Sequence, residues 1–241
     1  IVIPKTQSKE KKEKLKELGA ELIEVEAVPY SDPNNYIKQS KKIAEDLNKN
    51  NKNGAYWANQ FDNTINTDAH IKTTAREIWI QTAGKIDAFT CAVGTGGTLS
   101  GVSLGLKEKN KNIKIALSDP MGSSMYSYIK NNKLENTGSS ITEGIGTARI
   151  TSNFEKAIID EAFQNEDTET LNLDFELIEK QQIILGGSSG INIAGAIKLA
   201  KKMGPGKNIV TILCDHGKRY ASKIFNKKFL ESKNLPIPKW L

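Results

Sequence analysis

The sequence of 241 residues contains little cysteine and little histidine. Its two cysteines, Cys91 and Cys214, lie in apolar, strand-like segments and form no CxxC pair, which excludes a disulfide framework and any zinc-finger spacing. We expect both to be buried, small apolar side chains. The two histidines, His70 and His216, stand apart from any metal-ligand pattern. The sequence therefore predicts no metal site.

Long hydrophobic runs and targeting signals are also missing. No apolar stretch is long enough to cross a bilayer. The first residues, "IVIPKTQSKEKKEKL", lack the basic-then-apolar order of a signal peptide. These absences predict a cytoplasmic protein without a membrane partner. The hydrophobic fraction of 38% and the charged fraction of 26% are typical of a globular chain.

The net charge of +6 comes from lysines scattered along the chain. They cluster in segments such as "SKEKKEKLKELG" and "NKNNKNG", and aromatic residues are not interleaved with them. No nucleic-acid-binding motif accompanies the charge, so we interpret the lysines as a solvated surface and expect no nucleic-acid partner. The charge is still compatible with an anionic small ligand.

Strand-like and helical segments alternate along the chain. "IVIP" and "ELIEV" flank a helical segment that Ser8 would cap and Gly19 would end, which gives a β-α-β unit. Further on, "DAFTCAV" and "IKIALSD" are apolar strands, each followed by a helical segment. This order predicts an α/β fold with parallel, twisted sheets and flanking helices. A boundary near Asn63 divides it into two predicted domains, a small one at 1–63 and a larger one at 64–241.

A glycine-rich loop follows the apolar run in "CAVGTGGTLSG" and precedes a helical segment. Glycines let backbone N–H groups approach an anion closely, and the N-terminus of a helix adds positive potential. Threonine hydroxyls can donate further hydrogen bonds. The loop therefore predicts a site for a phosphate monoester, with a glycine-rich turn that binds nothing as the alternative. Its residues are Gly94, Thr95, Gly96, Gly97 and Thr98.

Two familiar nucleotide-binding patterns do not fit this loop. A P-loop ends in Gly-Lys-Ser/Thr, whereas Gly97 is followed by Thr98. A dinucleotide-binding fingerprint needs a third glycine where Leu99 stands, although Asp119 ends a strand at a distance that suits the acidic residue of that fingerprint. A nucleotide-binding oxidoreductase stays open as an alternative.

Three further segments contain residues that could contact a ligand. "GGSSG" opens a helical segment, so Ser188 could hydrogen-bond a ligand nitrogen without placing a charge on it, or could simply cap the helix. "TEGIG", which contains Gly144, lies in an irregular segment where backbone can approach a ligand. "NQFDN" contributes Gln60, which can both donate and accept, or it is a polar loop between domains.

Together, and in this order, these segments resemble the cysteine synthase and cystathionine β-synthase family. Members of that family use pyridoxal 5′-phosphate on the tryptophan-synthase-β type of fold, called fold type II. The resemblance covers nearly the whole chain, and the combination of motifs is far more specific than any one loop. The matching segments include "IPKTQSKEKKEKLKELGAELI", "NQFDN", "VGTGGTLSG", "SDPMGSSMY", "EGIG" and "GGSSGINIAGAIKLAK".

The resemblance implies a role for each candidate residue. The loop from Gly94 to Thr98 would bind the cofactor phosphate, and Ser188 would hydrogen-bond the pyridine nitrogen. A neutral partner leaves that nitrogen largely unprotonated, which suits β-elimination better than transamination. Gly144 would lie beside the cofactor and the amino-acid substrate, and Gln60 would help to bind the substrate carboxylate.

One part of the family pattern is missing from the sequence. In the family, the Schiff-base lysine and a loop that binds the substrate carboxylate lie upstream of the strand that "IVIP" forms here. The resemblance therefore implies that the Schiff-base lysine precedes Ile1. We expect a C-terminal part of a longer enzyme, with an incomplete small domain, no catalytic residue of its own and no activity alone. Lys5 and Lys72 are expected to be surface residues.

The resemblance implies that the full-length protein is a homodimeric transferase that forms L-cysteine from O-acetyl-L-serine and sulfide. Cystathionine β-synthase, or a related β-replacement or β-elimination enzyme, is the alternative within the same class. A lysine-free relative that binds an anion or a partner without catalysis is the alternative from a different class.

Overall fold

The chain opens with a small parallel sheet, and all 241 residues are described by a computed structural model. Strand β1 (Val2–Pro4) pairs with β2 (Ile23–Val25), and helix α1 (Lys9–Glu17) connects them. Helix α2 (Tyr36–Asn50) follows. The β-α-β unit predicted for this part of the sequence is confirmed.

The prediction for the C-terminal end of α1 is confirmed, whereas Ser8 does not cap its N-terminal end with its side chain. Gly19, just beyond the helix, has a φ of +85°, the left-handed conformation that commonly ends a helix. Ser8 stands at the N-cap position, but its hydroxyl makes no capping bond and donates to the Arg219 carbonyl at 2.8 Å. Ser8 therefore joins the start of the chain to its C-terminal part.

A four-stranded parallel sheet forms the centre of residues 64–241. Its strands are β3 (Ala88–Cys91), β4 (Lys114–Pro120), β5 (Glu161–Asn165) and β6 (Ile209–Thr211), in the order β5-β4-β3-β6. The two central strands, β3 and β4, are almost completely buried. Their continuous apolar runs are typical of strands that are covered on both faces.

Helices flank this sheet and complete the predicted α/β architecture, which is confirmed. They are α3 (Ile65–His70), α4 (Arg76–Gln81), α5 (Gly97–Lys109), α6 (Met125–Asn131), α7 (Asp167–Gln181), α8 (Gly187–Met203) and α9 (Lys227–Ser232). A π-helical turn at Ile71–Ala75 joins α3 to α4, and short 3₁₀ helices lie at Phe154–Lys156 and Gly217–Tyr220. None of the helices is both long and apolar enough to cross a membrane.

The main hydrophobic core lies between the sheet and α5. Phe89 on β3, Leu106 on α5 and Leu117 on β4 are fully buried, and each such side chain contributes ~1.5–3 kcal/mol to folding. Glycines bring α5 unusually close to α3: a Cβ on Gly101 would lie 2.5 Å from the Thr67 carbonyl oxygen. This packing fixes the direction in which the N-terminus of α5 points.

The two cysteines lie in different environments. Cys91 on β3 is buried, as predicted. The prediction for Cys214 is wrong, because β6 ends at Thr211 and the chain beyond it leaves the sheet, so that Cys214 is exposed. No group of His, Cys, Asp and Glu residues is arranged to hold a metal ion.

The two sheets lie on opposite sides of Asn63 in the sequence. Besides the bond from Ser8, the Glu10 carboxylate joins the two parts by accepting hydrogen bonds from the backbone and hydroxyl of Ser222, both at 2.8 Å. The division into domains 1–63 and 64–241 stays a prediction.

Candidate functional site

The glycine-rich loop joins the carboxyl end of β3 to the first turn of α5, the edge at which parallel sheets bind their ligands. Gly96 immediately precedes the helix with a φ of +90°, which glycine adopts far more readily than other residues. A Cβ on Gly94 would lie 2.3 Å from the Gly144 carbonyl oxygen. The Gly146 N–H also donates to the Val93 carbonyl at 2.8 Å. The loop and the "TEGIG" segment are therefore in direct backbone contact.

The two threonines of the loop have well-defined partners. Thr95 Oγ1 accepts a hydrogen bond from Asn66 Nδ2 at 3.0 Å. Thr98 Oγ1 lies 3.1 Å from His70 Nε2, and His70 Nδ1 lies 2.8 Å from Thr74 Oγ1. Burial lowers the pKa of His70, so that its ring is neutral at pH 7 and one nitrogen alone carries a proton. If that proton is on Nε2, the Thr98 hydroxyl is free to donate to an anion.

Ser188 lies in the first turn of α8 and is buried. Gly186, not Ser188, occupies the N-cap position, so capping is not the role of the Ser188 hydroxyl. Partial loss of hydration around the sulfur raises the pKa of the neighbouring Cys214 thiol although the residue is exposed, while hydrogen bonds with Ser188 and Asn192 oppose this shift. Near pH 7 the thiol is therefore protonated, so that Ser188 and Cys214 both present neutral groups, although Asp215 and Arg219 also line this cavity.

Gln60 and Gly144 come from two irregular segments outside the helices. The Gln60 carbonyl accepts hydrogen bonds from Asn66 Nδ2 at 2.9 Å and from Asn153 Nδ2 at 3.0 Å. Gly144 has a φ of +82°, and no atom lies within 4 Å of the place where its Cβ would stand. Its backbone therefore faces open space, where a ligand can approach it.

Six of the eight predicted site residues line one cavity of about 430 Å³: Gln60, Gly94, Thr95, Thr98, Gly144 and Ser188. Gly96 and Gly97 do not line it. A Cβ on Gly96 would lie 2.7 Å from the Phe154 backbone, and one on Gly97 would lie 2.2 Å from Asn66 Oδ1. These two glycines allow the loop to pack closely against Phe154 and Asn66, outside the cavity.

A second cavity of about 450 Å³ adjoins the first. The two share Gln60, Gly94, Thr95, Gly144 and Ile145 as lining residues. The second cavity extends toward β1 and α2, and Arg149 lies in its wall.

Sequence reasoning missed two buried asparagines that hold the site together. Asn153 accepts a hydrogen bond from the Thr67 hydroxyl at 2.7 Å and donates to the Phe61 carbonyl at 2.7 Å. Asn192 on α8 accepts from the Ala92 N–H at 2.6 Å and donates to the Ile212 carbonyl at 2.7 Å. An amide inside the apolar helical pattern "GINIAGA" is the signal that would have indicated Asn192.

Glu143, next to Gly144, was also missed. Its buried carboxylate accepts from the Ser8 backbone N–H at 3.2 Å and forms ion pairs with Lys11, at 3.1 Å, and with Lys223. Lys11 is the one lysine that lines the first cavity, and its ammonium is occupied by Glu143. The lysine in the wall of this cavity is therefore held in an ion pair.

The start of the chain reaches the second cavity, which Val2, Ile3 and Pro4 line. Ile1 itself is exposed and lines neither cavity. Lys5 and Lys72 are exposed, as predicted. The position of the Schiff-base lysine upstream of Ile1, which the resemblance implies, stays a prediction.

Asp119 does not belong to the site. Its buried carboxylate accepts a hydrogen bond from the Tyr126 N–H, in the first turn of α6, at 2.8 Å. Burial raises its pKa to about 6, against the hydrogen bonds it accepts. Asp119 holds the start of α6, so the dinucleotide-binding alternative loses its acidic residue.

The family follows from comparison with known proteins. Residues 1–215 match the family described as pyridoxal-phosphate dependent enzyme. The chain belongs to this family, and its resemblance to cysteine synthases and cystathionine β-synthases is confirmed.

Individual members of this family show how similar the chain is to known proteins. Cysteine synthase 1 of Emericella nidulans is 44% identical over 100% of this chain, and cysteine synthase 1 of Neurospora crassa is 44% identical over 98% of it. The chain spans 66% and 62% of the lengths of these two proteins. The crystal structure of an O-acetylserine dependent cystathionine beta-synthase from Helicobacter pylori matches 92% of this chain and 68% of its own, with a TM-score of 0.79 and 30% identity. The fold expected from the resemblance is confirmed.

Proposed function

We propose that this protein is a pyridoxal 5′-phosphate-dependent cysteine synthase, which replaces the acetoxy group of O-acetyl-L-serine with sulfide. The observation that carries the proposal is the convergence of three loop residues, Gly94, Thr95 and Thr98, with Gly144, Ser188 and Gln60 in one cavity. The relatives named cysteine synthase, 40–44% identical over 98–100% of this chain, support it.

The residues of the cavity fit pyridoxal 5′-phosphate at both ends. The N-terminus of α5 and the hydroxyls of Thr95 and Thr98 can bind the phosphate. Because Gly94 has no Cβ, the loop backbone can lie directly against the Gly144 carbonyl, with which a Cβ on Gly94 would collide. Ser188 offers a neutral hydroxyl to the ring nitrogen at the other end. The volume of about 430 Å³ also suits a small-molecule site.

The bound cofactor supplies an electron sink for carbanion chemistry at the Cα of an amino acid. Ser188 would hydrogen-bond the ring nitrogen without imposing a charge, which keeps that sink weak and favours loss of a β-substituent. Gln60 would bind the substrate carboxylate beside the Gly144 backbone. The surrounding backbone would limit access of water during the replacement.

A cystathionine β-synthase is the second candidate. The Helicobacter pylori structure carries that name, and so does a relative from Apis mellifera that is 35% identical over 99% of this chain. The proposal further includes a homodimer in the cytoplasm. The third candidate is a lysine-free relative that binds an anion or a partner without catalysis.

Steady-state kinetics of the holoenzyme, expressed from its complete gene, separates these candidates. O-acetyl-L-serine is supplied with sulfide or with L-homocysteine, and the thioether or thiol product is quantified by chromatography. We expect kcat/KM to be highest for L-cysteine formation with sulfide. A preference for homocysteine favours a cystathionine β-synthase, and no product with either acceptor supports the non-catalytic relative.

A further inference from the structure

Arg149 occupies an unusual position in the wall of the second cavity. It lines this cavity together with Gln60 and Gly144, two of the predicted site residues. Its side chain is 19% exposed. A guanidinium at this place would ordinarily attract an anionic ligand.

The charge of Arg149 is balanced by Asp62. Its Nη1 and Nη2 donate to the two Asp62 carboxylate oxygens at 3.1 and 2.8 Å. Asp62 also accepts from the Ser152 backbone N–H at 3.0 Å. The hydrogen bonds from Arg149 hold the pKa of Asp62 below its usual range, so that the carboxylate is charged at neutral pH. The pair carries no net charge.

Aromatic rings fix the guanidinium in this position. Its carbon lies 4.3 Å from the centre of the Tyr30 ring and 5.6 Å from that of the Phe61 ring. Asp62 takes two of the five guanidinium N–H groups, and the other three make no hydrogen bond to the protein. Arg149 therefore keeps donors for a ligand although its charge is compensated.

We propose that the Asp62–Arg149 pair selects amino-acid substrates whose β-substituent is uncharged, because it offers hydrogen-bond donors to the second cavity without net charge. An acyl ester oxygen can accept from the remaining guanidinium N–H groups. A phosphate or carboxylate at the same place would gain little attraction from Arg149, because the Asp62 carboxylate already compensates the charge of the guanidinium. The inference rests on the proposed function, since it concerns the leaving group of that reaction.

The pair could instead serve only to join two loops, since Asp62 and Arg149 lie 87 residues apart in the sequence. A purely structural clamp would affect all substrates alike, whereas a selector would change their ranking. The test therefore compares substrates of different charge rather than the rate with one substrate.

The first measurement is the kcat/KM of the wild-type holoenzyme with O-acetyl-L-serine and with O-phospho-L-serine. The second is the dissociation constant of inorganic phosphate for the same holoenzyme, by calorimetry. Both are repeated for Asp62→Asn, which keeps the size of the side chain and removes its charge, and for the double variant Asp62→Asn with Arg149→Gln. Asp160→Asn is the matched control: Asp160 also accepts from a cation, Lys107, and from a backbone N–H, that of Ile115, both at 2.8 Å. Its partner Lys107 lines neither cavity, whereas Arg149 lines the second.

The wild type should prefer O-acetyl-L-serine by roughly 100-fold, and Asp62→Asn should raise kcat/KM for O-phospho-L-serine and tighten phosphate binding by about 10-fold each. The double variant should reverse both gains, and the control should show neither. A folded Asp62→Asn variant that changes both values by less than about 2-fold overturns the proposal.

Three further outcomes of these experiments also have a defined meaning. If Asp62→Asn does not fold, Arg149→Gln should weaken phosphate binding below that of the wild type, and an unchanged affinity overturns the inference. A wild type that uses both serine esters equally well overturns it directly. A wild type that forms no cysteine from O-acetyl-L-serine refutes the proposed function instead, and the phosphate-binding comparison still reports on the pair.

Discussion

At the scale of single residues, the position of the proton on the neutral His70 ring decides whether the Thr98 hydroxyl can donate to a ligand. The ring is neutral because burial lowers its pKa, and its two nitrogens contact Thr98 and Thr74. Binding of a phosphate by Thr98 requires the proton on Nε2. The side chains on either side of the imidazole are thus part of one hydrogen-bond chain that ends at the proposed phosphate site.

Thr98→Val tests this chain. It removes the hydroxyl and keeps the shape, so we expect the dissociation constant for pyridoxal 5′-phosphate to rise about 10-fold, the effect of one hydrogen bond to a charged group. Thr98→Ser, which keeps the hydroxyl, is the control and should bind within about 3-fold of the wild type. Fluorescence titration with the cofactor gives both values. Equal affinities of the two variants would show that Thr98 does not contact the phosphate.

Ser188 allows a second test at this scale. Ser188→Asp would place a carboxylate where a neutral hydroxyl lies, which favours a protonated ring nitrogen. We expect L-cysteine formation to fall by at least about 10-fold, corresponding to a shift of one pKa unit, while the cofactor still binds. Ser188→Ala, which adds no charge, should lose less. If Ser188→Asp is as active as Ser188→Ala, the ring nitrogen does not lie beside this residue.

At the scale of elements, a buried carboxylate between α7 and α8 influences stability. Asp174 on α7 is 1% exposed, neither of its oxygens has a hydrogen-bond partner, and burial raises its pKa to about 8. A Cβ on Gly190, in the first turns of α8, would lie 2.6 Å from Asp174 Oδ2. The helix that carries Ser188 therefore packs directly against an acid that is protonated when folded.

Asp174→Asn should stabilise the protein at alkaline pH. The raised pKa means that the folded state keeps a proton that the unfolded state releases above pH ~4, so wild-type stability falls as pH rises toward 8. Asparagine has no such loss, and we expect the melting temperatures of variant and wild type to be similar at pH 4.5 and the variant's to be higher at pH 8.

Asp160→Asn should change the stability at pH 8 in the opposite direction. Burial alone would raise the pKa of Asp160, but hydrogen bonds from Lys107 and Ile115 lower it, so this variant should be less stable than the wild type at pH 8. A lower melting temperature for Asp174→Asn at pH 8 would contradict the burial of an unpaired carboxylate.

The turn that begins α5 gives a further prediction. Gly96→Ala adds a Cβ that collides with the Phe154 backbone at 2.7 Å and imposes a positive φ on alanine. Gly19→Ala also meets a positive φ but has no atom within 4 Å. We expect Gly96→Ala to lower the free energy of unfolding by ~1–3 kcal/mol more than Gly19→Ala does, the range typical of overpacking. Urea titration of both variants measures the difference, and equal losses would mean that the contact with Phe154 is not tight.

At the scale of the whole molecule, the sequence predicted what depends on local pattern. Apolar runs located β3 and β4, and glycines before helices located the loop at 94–98 and Ser188. Strand β5 was not predicted, because "EAFQN" has no apolar pattern and owes its conformation to pairing with β4.

Long-range polar contacts could not be predicted from the sequence. Glu143 brings together Ser8, Lys11 and Lys223, and Asp62 meets Arg149 across 87 residues. Nothing in the local sequence marks these partners, because charged residues at such positions are ordinarily solvated. They nevertheless connect the small sheet and the cavities, so that the proposed site depends on the arrangement of the whole chain.

Binding of pyridoxal 5′-phosphate between the loop at 94–98 and Ser188 is tested most directly by mass spectrometry of the native protein, saturated with cofactor and reduced with borohydride. Reduction fixes a lysine-bound pyridoxyl group covalently. One pyridoxyl adduct per chain is expected for the wild type, on a lysine upstream of Ile1, and a lower yield at limiting cofactor for Thr98→Val. A saturated wild-type protein without an adduct on any lysine would contradict the proposed enzyme.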